Sequence, residues 1–144
     1  MRALLLMIIL LISSVSLAEE ENITIEISGI NVERGGNLIV LVFDRDGFPI
    51  KHEKARSTQT KNVSSSRMTF TFSDSLNSEL AFKVLHDEDS NNKVTKNWMG
   101  IWPREGLGFS NDTVMGVAGP PGFDAAKVSK EEIRKGIKMR VIYP

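Results

Sequence analysis

The chain has 144 residues, with 18 basic and 18 acidic side chains, 41% hydrophobic residues and no cysteine. This composition excludes a disulfide scaffold and a cysteine-borne lipid anchor, and it supplies no basic face to neutralise nucleic-acid phosphates. The apolar content is that of a globular protein, not of a disordered chain.

The first segment has the anatomy of a secretory signal peptide. Arg2 provides the positive start, Ala3 to Ile12 is unbroken and apolar, and Ser16-Leu17-Ala18 offers small side chains one and three positions before a cleavage point. The apolar run is shorter than the roughly 20 residues that span a bilayer. The expectation is a signal peptide over residues 1–18 and one domain over residues 19–144. That domain would be exported to the periplasm or beyond, with no transmembrane segment after cleavage, as a monomer with no nucleic-acid partner.

Beyond it, the first strand signal is Ile23, Ile25 and Ile27 alternating with Thr24, Glu26 and Ser28. Arg34-Gly35-Gly36-Asn37 is a turn. Leu38 to Phe43 is a continuous apolar run of strand length, the pattern of a strand covered on both faces. Asp44-Arg45-Asp46-Gly47 carries turn chemistry. Phe48 to Ser66 is polar and weakly patterned, and reads as a surface connection with a short helix around His52 to Ser57.

Met68, Phe70 and Phe72 alternate with threonines. Leu80, Phe82 and Val84 alternate with Ala81 and Lys83. After a Gly-, Asn- and Pro-rich stretch, Ile137, Met139, Val141 and Tyr143 form the last alternating run. Short strands are expected near Thr113 to Val117 and Ala125 to Val128. Ser129-Lys130-Glu131-Glu132 resembles a capping box opening one helical turn before Gly136, with a polar turn as the alternative. Short strands separated by turns predict an all-β protein, an antiparallel β-sandwich of immunoglobulin-like or transthyretin-like type with about seven strands and long loops.

The densest chemistry lies between His86 and Asp112. Asp87, Asp89 and Asn91 have the D-x-D-x-N spacing that opens an EF-hand-type calcium loop. Asn92 stands where that loop uses Gly, a left-handed position that Asn tolerates. The twelfth position is Trp98 instead of a bidentate Glu, and no helical pattern flanks the loop, so an EF-hand is excluded. Two readings stand. The acids either form a looser calcium site, closed by Glu105, Asn111 or Asp112, or they make a turn whose carboxylates accept backbone N–H groups.

His86 beside carboxylates is a candidate general base, but no nucleophile sits in a recognisable setting, and neighbours on a strand face opposite ways. Zinc is disfavoured, because His52 is the one other histidine. Trp98 and Trp102 read first as loop residues capping the open end of the core, and second as a platform for sugar stacking. Gly106 to Asn111 has the look of a loop folded closely on itself.

His86-Asp87-Glu88-Asp89, Asn91-Asn92-Lys93, Asn97, Gly100, Pro103-Arg104-Glu105-Gly106 and Gly108-Phe109-Ser110-Asn111 follow in order. They resemble the "HDEN-x-NGK … N-x-x-G-x-P-x-E-G-x-G-F-S-N" core of the DUF2141 family of exported bacterial proteins, a domain of unknown function. Gly119-Pro120-Pro121-Gly122-Phe123 with Ala126 resembles the family's later "G-x-P-x-F-x-x-A" segment. Asp89 departs from the usual Asn, Asn92 from the usual Gly and Thr95 from a common acid, and Trp102 is an extra residue before the Pro. The resemblance implies export and a sandwich, and suggests that His86, Asp87, Glu105 and Asn111 belong to one assembly. It implies no reaction.

Three functions follow from these residues. The first is a non-enzymatic binding or structural envelope protein with an acidic loop that holds calcium through Asp87, Asp89, Asn91 and Glu105, within a polar cluster of His86, Glu88, Asn97, Asn111 and Asp112. The second is a hydrolase using His86 with Asp87 or Glu105. The third is a carbohydrate-binding or adhesion module using Trp98 and Trp102.

Overall fold

The computed structural model describes residues 19–144. The expected signal peptide, residues 1–18, lies outside them. Among the described residues there are seven strands: β1 Glu20–Ser28, β2 Asn37–Phe43, β3 Ser57–Asn62, β4 Met68–Ser75, β5 Ala81–Asp87, β6 Gly106–Phe109 and β7 Ile137–Arg140. Two short helices, α1 Phe123–Ala126 and α2 Lys130–Arg134, precede the last strand. The strands form two sheets, ordered β4-β1-β7 and β3-β2-β5-β6. Every pairing is antiparallel except β1 with β7, which run parallel. The protein is an all-β sandwich.

Alternation explains the main core. Ile23, Ile25 and Ile27 lie opposite Phe72, Phe70 and Met68 on β4, and Ile25 and Ile27 lie beside Ile137 and Met139 on β7. These side chains face Leu38, Val40 and Val42 of β2 and Phe82 and Val84 of β5, and all but the half-buried Met68 are fully or nearly fully buried. Removing this apolar area from water is the dominant favourable term in such a sandwich.

The second sheet is covered on its outer face too. Ile39, Leu41, Phe43, Leu85, Leu107 and Phe109 form a second cluster, roofed by Phe48, Ala55, Val94 and Met115 from the loops. That double burial is the reason β2 reads as an unbroken apolar run.

Several expectations change. The Phe48 to Ser66 connection holds one 3-10 turn at His52–Lys54, and its second half is β3, a polar edge strand. Gly106 to Phe109 is a strand and not a self-folded loop. The chain crossing it is the end of β7 and the residues that follow: a Cβ on Gly108 would lie 2.3 Å from the Arg140 carbonyl oxygen. Only a hydrogen side chain allows that approach. Thr113 to Val117 forms no strand, and Ala125 and Ala126 close α1, with Val128 joined to Leu80 by a single bridge. The capping box is present. Ser129 Oγ accepts from the Glu132 N–H and the Glu132 carboxylate accepts from the Ser129 N–H, which opens α2.

Candidate functional site

The end of β5 directs two neighbouring residues to opposite faces. His86 points between the sheets and is fully buried. Its Nε2 lies 2.6 Å from the Gly35 carbonyl oxygen and its Nδ1 2.6 Å from the Tyr143 hydroxyl. A carbonyl only accepts, so Nε2 carries the proton and Nδ1 accepts from Tyr143. The same hydroxyl accepts from the Asn31 N–H at 2.8 Å. Both nitrogens of the imidazole are committed to these partners, so it forms no pair with Asp87 or Glu105.

Asp87 points the other way, into the loop. β6 starts at Gly106, opposite His86. Continuing that register sets Glu105 opposite Asp87, a like-charge cross-strand pair that is unfavourable without compensation. Both carboxylates are buried. Asp87 accepts from the N–H of Asn91 at 3.1 Å and of Asn92 at 2.8 Å, one on each oxygen. Glu105 accepts from the N–H of Glu88 at 2.9 Å and of Thr95 at 2.8 Å. The two acids thus hold the loop from both sides. Asn92 is left-handed, with φ 61°, as is Ser90, with φ 56°.

Asp89 completes the group from the exposed side. One oxygen accepts from the Asn91 N–H, the other from the Thr95 hydroxyl at 2.7 Å and the Asn91 amide at 3.0 Å. Ligand atoms of Asp87, Asp89 and Glu105 lie within 4.8 Å of one another. Oxygens sharing one calcium at about 2.3–2.6 Å are at most about 5 Å apart, so this spacing is of coordinating size. The Thr95 hydroxyl bond lowers the Asp89 pKa. Burial raises that of Glu105, and the charges of Asp89 and Asp87 add to the rise. Among the described residues no Lys or Arg is ion-paired with any of the three.

Of the remaining candidates, Asn91 and Glu88 touch this group through their N–H donors, and the others lie apart from it. Asn91 turns its amide nitrogen toward Asp89 and Thr95 and gives its oxygen to the Lys93 N–H. Glu88 pairs with Arg34 at 2.7 Å. Asn97 accepts from the N–H groups of Ile101 and Trp102, bracing a turn. Asn111 lies past the far end of β6, where its amide donates to the Ala125 carbonyl, and Asp112 follows it with φ 52°. Asn111 therefore does not join His86, Asp87 and Glu105 in one assembly, because the length of β6 intervenes. The two indoles do not cap the core: Trp98 is 93% exposed and Trp102 41%.

One pair escaped the sequence reading. Lys83 faces outward on β5, yet the overlying loops bury it to 4% exposure. Its ammonium donates to the Pro49 carbonyl at 2.9 Å and to His52 Nε2 at 2.8 Å. Burial lowers its pKa to about 8. Burial, followed by the Lys83 charge, lowers that of His52, consistent with a neutral imidazole that accepts. Ser110 is a further buried anchor: its hydroxyl donates to the Ala126 carbonyl at 2.6 Å and accepts from the Phe82 N–H at 2.9 Å.

Among the described residues no helix is long and apolar enough to cross a membrane. No curated protein and no solved structure matches the chain. A family model does match, over residues 25–137, a span that holds β2 to β6 and the whole acidic loop, begins within β1 and ends at the first residue of β7. The chain belongs to the DUF2141 family, described as "Uncharacterized protein conserved in bacteria".

Proposed function

We propose that the protein is an exported, non-enzymatic envelope domain whose acidic loop binds calcium. The observation that carries this reading is the meeting of three carboxylates, Asp87, Asp89 and Glu105, from two chain segments within 4.8 Å. No side-chain cation is paired with them among the described residues, and two of the three are buried. Backbone N–H groups satisfy the oxygens but leave the negative charge in place. A hard divalent cation with oxygen preference would neutralise it, and every oxygen of the three carboxylates keeps a further lone pair for coordination except Asp89 Oδ2, which already accepts from Thr95 and Asn91. Export is supported by the composition of residues 1–18.

Thermal melts with calcium and with chelator test the reading. A ligand bound only to the native state at 100 times its Kd adds about 2.7 kcal/mol, a clear rise in Tm. A melt that is the same in calcium and in chelator removes the cation and leaves the acids as a lock for the loop.

A carbohydrate-binding reading draws on one observation, the exposure of Trp98. Glycan-array binding that disappears in Trp98→Ala would favour it.

A further inference from the structure

The outer face of the β3-β2-β5-β6 sheet carries a cleft of about 490 Å³. That lies within the range of small-molecule sites, ~300–1,000 Å³. Ile50, Val94, Ile101, Leu107 and Met115 give it apolar walls. Ile50 and Ile101 form an exposed lip, 72% and 63% accessible.

Lys83 is in the lining, and its position is the anomaly. A buried ammonium is costly unless it is paired. An ammonium has three protons. Two meet the Pro49 carbonyl and His52 Nε2, both of them neutral acceptors. Lys83 has no carboxylate in an ion pair among the described residues, and burial alone accounts for its lowered pKa. A full positive charge and one donor proton are thus left without an acid. The other ionisable groups of the cleft make it more positive still. Lys93 and Lys96 line it, against the single acid Glu53.

Apolar walls with an uncompensated buried cation describe the negative image of an amphiphile with an anionic head. We propose that this cleft binds a small amphiphilic organic anion, a carboxylate with an alkyl body, whose head meets Lys83 and whose tail lies along Ile101 and Leu107. The acidic loop contributes Asn92, Lys93 and Val94 to the cleft. The proposal does not rest on calcium, since the apolar lining and Lys83 are independent of the three acids.

Octanoate is the probe, with 1-octanol and octylammonium as controls, each titrated into the purified protein and followed by amide NMR shifts. Octanoate is expected to saturate with shifts at Val94, Ile101 and Leu107, at least tenfold tighter than 1-octanol, and octylammonium to leave those resonances unmoved. Lys83→Met is expected to weaken octanoate at least tenfold and to leave 1-octanol unchanged. Absence of saturable octanoate binding, or 1-octanol binding equally well, would overturn the proposal. So would Lys83→Met retaining full octanoate affinity, or a dimer that protects the cleft resonances from octanoate. The three-ligand comparison on the unmodified protein decides the matter even where the variant does not fold.

Discussion

Lys83 gives the sharpest stability prediction, because its ordinary pKa of 10.5 falls to about 8 on folding. The folded value is the lower one, so burial penalises the charged form. Below pH 8 both folded and unfolded chains carry the proton and the penalty stands in full. Between pH 8 and 10.5 the unfolded chain holds the proton that the folded chain has lost, so stability rises with pH. At about 1.4 kcal/mol per pKa unit, the relief is about 3 kcal/mol across that window. The quantity to measure is a difference, which removes the contribution of the rest of the chain. Urea denaturation of wild type and Lys83→Met at pH 7.5, 8.5, 9.5 and 10.5 gives it. The stability of wild type relative to the variant should climb by about 3 kcal/mol over the series. A difference flat to within about 0.5 kcal/mol would refute a charged, buried Lys83 beneath the loops.

Two further substitutions probe the frame around the acidic loop. A Cβ at Gly36, whose φ is 72°, would lie 2.3 Å from the Asp87 carbonyl oxygen and 2.7 Å from the Glu88 Cα. Gly36→Ala adds this backbone clash to left-handed strain of about 1–3 kcal/mol, and should lower the urea midpoint accordingly; an unchanged midpoint would show that the turn is not packed on the loop. Tyr143→Phe leaves His86 Nδ1 and the Asn31 N–H without their shared partner. It should cost about 1–3 kcal/mol in the same assay, and a neutral effect would mean that the buried imidazole is satisfied in another way.

The sandwich was legible because burial on one face imposes a period of two. Ile23, Ile25 and Ile27, and again Phe70 and Phe72, carry that period because their other face meets water. β2 was legible as a strand covered twice. β3 was not, since Ser57–Asn62 is an edge strand with hardly any buried side chain and thus no apolar mark. β6 has the sequence of a loop because Gly106 and Gly108 dilute its pattern. The cause of those glycines lies in the crossing of Arg140 to Tyr143, far away in sequence. The parallel pairing of β1 with β7 likewise has no local signature.

The same division holds at the site. Asp87 and Asp89 are legible from their spacing, whereas Glu105 stands in the sequence only as one of three candidates with Asn111 and Asp112; its approach depends on the pairing of β5 with β6, which has no mark in the sequence. The direction of the Asn91 amide was not legible. It depends on which of its atoms meets Thr95, where an acid would have presented a different partner. Lys83 is not legible for a simpler reason. Alternation assigned it to the outer face, and nothing local announces that loops 44–56 and 88–105 cover that face.

Calcium binding at Asp87, Asp89 and Glu105 is checked by calorimetric titration of calcium into residues 19–144, with Asp89→Asn alongside. Asp89 is the exposed member, so its amide removes one charge without touching the buried acids; its oxygen keeps the bond from the Asn91 N–H, and its NH2 group no longer accepts from Thr95 and the Asn91 amide. Wild type is expected to show a single saturable site, weakened at least tenfold in the variant. No heat in wild type, or the same isotherm for both proteins, would contradict it.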